Sequence, residues 1–87
     1  MTLTDTLVEL VNIPSVIGSE GRLCTAIAER LLPVWTLQGV KRLGNALVVG
    51  QRTDRPLITL YGHLDTVPVQ DGNDSARIAG DRVYGLG

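Results

Sequence analysis

The sequence predicts an α/β domain in the order helix, helix, hairpin, strand, hairpin. Three observations point there. Apolar residues recur at helical spacing over residues 2–11 and again over residues 20–32. Two β-forming runs flank Gly44-Asn45, a pair suited to a hairpin turn. The run "PLITLYGH", residues 56–63, is rich in β formers and bounded by Pro and Gly, as a buried central strand would be.

In the first helical segment Leu3, Leu7, Leu10 and Val11 form the apolar stripe, with Asp5 and Glu9 facing away. Thr2 and Asp5 are spaced as a capping pair, and an acid is favoured at a helix N-terminus. Pro14 forbids continuation and pushes Ile13 to an extended shape. Gly18 turns the chain, and Ser19 is the expected N-cap of the second helix. There Leu23, Ile27 and Leu31 share one stripe, Cys24 and Ala28 lie beside it, and Pro33 closes it. Cys24 reads as a small core hydrophobe.

From Trp35 the pattern changes to strands. "LQGVKRL" and "ALVVG" make the first hairpin, "QRTDRP" is a polar connector, and "VQDGNDSA" is a loop. "ARIAGDRVYG" is a second hairpin turning at Gly80-Asp81.

Composition narrows the function classes. A net charge of −1, with basic residues spread along the chain, gives no footprint for a nucleic-acid partner. One cysteine cannot make an internal disulfide. The N-terminus lacks the basic start of a signal peptide, and no apolar run approaches the roughly 18–20 residues that cross a bilayer. The expectation is a cytoplasmic protein with no membrane partner.

The chemistry concentrates in "YGHLDTVP", residues 61–68, which holds the single histidine. In an extended chain, positions 63 and 65 point to the same side. Neutral imidazole binds zinc through one nitrogen, and the other then needs an acceptor. Asp65 is placed to be that acceptor, fixing the tautomer and raising the basicity of the ligand. His63 is therefore the candidate metal ligand and Asp65 the candidate catalytic-site acid that orients it. Gly62 is expected to let backbone or metal approach closely, and Pro68 to stiffen the following loop. Zinc sites use three or four protein ligands. The glutamates Glu9, Glu20 and Glu29 all fall in the helical region, and Asp71, Asp74 and Asp81 read as solvated turn formers. The chain does not close such a site from recognisable parts. A small non-catalytic α/β binding module with a structural His63 is the alternative of another class.

"YGHLDTVPV" resembles the first metal motif of the M20 metallopeptidases, a family of co-catalytic zinc amidohydrolases and exopeptidases. The order of the flanks is similar too. "LVELVNIPSVIGSEG" looks like the family's N-terminal helix, Ile-Pro-Ser loop and second helix, "LGNALVV" like its Gly-Asn hairpin, and "GDRVYGLG" like the approach to its second metal motif. The resemblance covers nearly the whole chain. It implies that residues 1–87 are the N-terminal portion of one mixed-sheet, zinc-exopeptidase-like catalytic domain. The rest of that domain, and the family's dimerisation or lid domain, would lie elsewhere. It also implies a site with two zinc ions, for which cobalt can substitute, a small N-acyl amino acid as substrate, and a homodimeric parent. His63 matches a metal ligand and Asp65 the acid that holds it. The bridging Asp, the Glu-Glu pair with the general base, and the second His of the pattern are expected beyond Gly87. On that reading the 87 residues alone are inactive and bind zinc weakly.

Overall fold

The computed structural model describes residues 1–33, 39–50, 53–70 and 72–87. Two helices, α1 (Leu3–Val11) and α2 (Gly21–Leu31), precede two antiparallel hairpins. The first hairpin pairs β1 (Val40–Leu43) with β2 (Ala46–Val49), and the second pairs β3 (Arg77–Ala79) with β4 (Arg82–Tyr84). The expectations for Trp35, for Leu37-Gln38 at the start of the first hairpin and for Asp71 lie outside the described residues.

The helix ends follow local chemistry. The Asp5 amide donates to Thr2 Oγ1 (3.1 Å) and the Thr2 amide to Asp5 Oδ2 (2.9 Å), which completes a capping box. The backbone bond from Thr2, followed by its hydroxyl, holds the Asp5 carboxyl below its ordinary pKa. Ser19 does not cap α2. Glu20 occupies that position, with no side-chain cap bond, because its Oε1 turns back to accept the Gly18 amide at 2.7 Å. Glu9 does not simply face solvent: Arg30 on α2 donates to its Oε2 at 2.8 Å and to Thr6 Oγ1 at 3.2 Å, joining the two helices.

The centre of the fold is one face of α2 against the first hairpin. Cys24 is fully buried and Leu23 nearly so, while Ile27, Ala28 and Leu31 are half-buried along the same side. Arg42 on β1 clamps the two together. Its Nη1 donates to Thr25 Oγ1 (2.7 Å), its Nε to Gly44 O (2.8 Å) and its Nη2 to Asn45 Oδ1 (3.1 Å). Gly44 has a φ of +61°, which glycine adopts without a Cβ penalty, so the Gly-Asn turn forms as the sequence predicts. The second hairpin turns at Gly80, φ +62°, as expected. It is tied to α1: the Ala76 amide donates to Asn12 Oδ1 at 2.7 Å.

One element differs. Residues 56–63 form no strand, and the run is not buried. Ile58, Leu60 and Tyr61 are all more than 85% exposed. The physical reason is pairing. A strand is made by its neighbours' hydrogen bonds, and each hairpin here is a closed two-stranded unit that extends no ladder to this segment.

Candidate functional site

The loop that follows α1 and the segment that follows residues 56–63 meet in one parallel bridge, Val16 to Thr66. The Thr66 amide donates to Ser15 O (2.9 Å), and the Ile17 amide donates to Thr66 O (3.1 Å). On the next residue the Val67 amide donates to Gly87 O (3.0 Å). Residues 66 and 67 are thus held by two separated parts of the chain.

His63 and Asp65 stand just before this anchor. His63 Nδ1 lies 3.4 Å from Asp65 Oδ1, so the two side chains share a side as their spacing predicts. The imidazole is 80% exposed and the carboxylate 40%. Nε2 of His63 is then the nitrogen left to offer a metal, with the carboxylate beside the other. The pair sits at the boundary of two depressions. One, of about 550 Å³, also borders Glu20 and β2. The other, of about 240 Å³, is floored by Leu10, Val11, Leu23, Ile27 and Leu86. Leu86 and Gly87 therefore line the same cavity as His63 and Asp65.

Two expectations about the site change. The pair does not ride on a buried strand; the bridge at Thr66 anchors it instead. No part of the protein approaches Gly62 closely, since a Cβ there would meet nothing within 4 Å. The close approach falls instead at Gly85, where a Cβ would lie 2.5 Å from Val11 Cγ1 and force that side chain to shift. The anchoring role of residues 15–17 was also missed. The Ile-Pro-Ser run reads as a helix stop, and the signal for more was the extended shape that Pro14 imposes on its neighbour.

Among the described residues, no three His, Cys, Asp or Glu side chains group as a metal site would require. The donors brought together here are one imidazole, His63, and one carboxylate, Asp65, beside it. No helix among the described residues is long and apolar enough to cross a membrane.

Comparison with known proteins agrees on a coarse class. Over 81 residues, 93% of its length, the chain is 38% identical to a protein of Pyrococcus abyssi (strain GE5 / Orsay). That protein's name, a provisional one, is LysW-lysine/LysW-ornithine hydrolase. The chain spans 23% of that relative's length. It is thus similar, along nearly all of itself, to one part of a hydrolase. No protein-family model matches the chain. No solved structure matches it.

Proposed function

We propose that this chain is the N-terminal part of a zinc-dependent amide hydrolase of the M20 type. In this reading His63 is one metal ligand and Asp65 the acid that orients it. The observation that carries it is the 3.4 Å approach of Asp65 Oδ1 to His63 Nδ1 at the rim of a cavity. An Nδ1 proton directed toward Asp65 would leave the Nε2 lone pair for a metal, and the carboxylate would make that nitrogen a better donor. Gly87, bonded to Val67, brings the end of the second hairpin to the same rim, which suits a following segment that adds further ligands.

Zinc, when bound, supplies a water acidic enough to attack an amide near neutral pH and positive charge to meet the oxyanion that develops. The general base is assigned by family resemblance to a glutamate outside residues 1–87. The first substrate reading, from the motif flanks, is N-succinyl-LL-diaminopimelate, cleaved with water to succinate and LL-diaminopimelate. Acetylornithine deacetylation is its near neighbour. A second reading is favoured by the relative's name: an amide that links lysine or ornithine to LysW. All of these break an acyl C–N bond and share the role given to His63.

The test uses the longer protein. His63→Ala should remove activity and zinc together, and by more than Asp65→Ala does. Asp65→Ala should lower activity roughly 10–100-fold with a smaller loss of metal. Full activity and zinc content in His63→Ala would overturn the ligand role, whereas no amide hydrolysis by the unaltered longer protein would leave the binding-module alternative. Assay with succinyl-diaminopimelate, acetylornithine and LysW-lysine side by side separates the substrate readings.

A further inference from the structure

The His63–Asp65 pair does not hold itself in place. An exposed polar pair adds little, and four-fifths of the His63 side chain is open to solvent. Among the described residues, no ladder supports the residues before it. What fixes the pair is backbone on the other side, at Thr66, and that backbone belongs to the loop after α1.

This loop is stiff for several independent reasons. Pro14 has a fixed φ and restricts Ile13. The Ser19 amide donates to Val16 O at 2.7 Å, and Gly18 has a φ of +88°. Those are the features of a type II turn with Ile17 and Gly18 at its centre. Glu20 Oε1 accepts the Gly18 amide and ties the turn to the start of α2. Ser15, whose carbonyl receives the Thr66 amide, is only 2% exposed. Water therefore competes poorly for that bond.

We infer that residues 14–18 are the positioning element of the His63–Asp65 pair, with the Ile17 amide and the Ser15 carbonyl acting through Thr66. The inference rests on the proposed roles of His63 and Asp65. Ile17 is a positioning residue through its backbone, since its side chain is largely exposed.

The turn offers a clean test. Proline is favoured at the first central position of a type II turn. Ile17→Pro therefore keeps the turn and deletes one donor, whereas Ile17→Ala keeps the donor and deletes the exposed side chain. The readout is the tautomer balance of His63, the single histidine, from the nitrogen-15 shifts of its two ring nitrogens in the neutral form. Asp65→Asn supplies the reference for a lost carboxylate and should move the balance roughly 2–5-fold. Ile17→Pro should reproduce at least half of that movement, and Ile17→Ala none. An unchanged balance in Ile17→Pro, with Cys24 still protected from thiol reagents, overturns the positioning role. If Ile17→Pro fails to fold, hydrogen exchange on the unaltered chain decides. The Ile17 and Thr66 amides should exchange at least about tenfold more slowly than those of residues 57–61, and equal rates overturn the inference. If Asp65→Asn itself leaves the balance unmoved, the orienting reading of Asp65 is what has failed, and the positioning role falls with it.

Discussion

Residues 21–31 and residues 56–63 are both short and both carry apolar side chains, on one stripe in the first and nearly throughout the second, and the structure treats them in opposite ways. The first segment is a helix whose backbone bonds are internal, so it needs a neighbour only for its side chains. The first hairpin packs on α2, and Cys24 and Leu23 are the helix's buried residues. The second has the composition of a strand, but a strand's backbone bonds come from outside. None arrives from the described residues, and Ile58, Leu60 and Tyr61 stay exposed. Hydrophobicity alone does not decide burial; whether the element can satisfy its own backbone does.

The sharpest way to break this contrast is Leu23→Ala. Leu23 is 8% exposed in a core with few other buried side chains among the described residues. Removing it should cost about 2–5 kcal/mol, read as a lower midpoint in urea unfolding. A loss under about 0.5 kcal/mol would mean that α2 does not organise the fold. Gly85→Ala comes next. Its new Cβ would press on Val11 Cγ1, and valine has little χ1 freedom to move aside. Overpacking of this kind costs about 1–3 kcal/mol. If Gly85→Ala matched the unaltered chain, the contact between α1 and the second hairpin would be looser than the structure has it.

The same contrast explains what was legible in the sequence. The Thr2-Asp5 capping box, the stop at Pro14, the Gly44-Asn45 and Gly80-Asp81 turns and the burial of Cys24 each depend on a few adjacent residues. All are present. The side-by-side placement of His63 and Asp65 was legible for the same reason, because a two-residue spacing sets it locally. What was not legible depends on partners distant in sequence. The Val16–Thr66 bridge joins positions 50 residues apart. The Glu9–Arg30 pair spans 21 residues. Whether residues 56–63 pair at all is likewise a question about other segments. Ser19 failed as a cap through a nearby competitor, since Glu20 supplied the turn with its own acceptor.

Smaller effects probe the capping box. Thr2→Ala should cost about 0.5–2 kcal/mol by leaving the Asp5 amide without its acceptor. Asp5 gives the matching pH dependence. Its folded pKa is depressed, so its contribution is present above its unfolded value, near 4. That contribution is lost as pH falls through the folded value. The α1 signal in circular dichroism should weaken in acid, and Thr2→Ala should flatten that dependence. An acid response unchanged in Thr2→Ala would move its origin away from the cap.

The smallest expected effect is the most informative about residues 56–63. Leu60 is 91% exposed, so Leu60→Ser in this chain should change unfolding stability by less than about 0.5 kcal/mol. It should also reduce self-association, because an unpaired apolar segment invites strand pairing between copies. In the longer protein of the proposed reading, the same run is a central strand covered on both faces. There the substitution removes a packed side chain and leaves a hydroxyl that needs a partner, and the cost should rise to about 2–5 kcal/mol. A near-zero cost in both would detach residues 56–63 from the sheet of the proposed catalytic domain. A large cost in the 87-residue chain would mean that the run already has the neighbour this structure lacks. The ratio of the two measurements thus reports how much of the strand is encoded in its own residues and how much in what surrounds it.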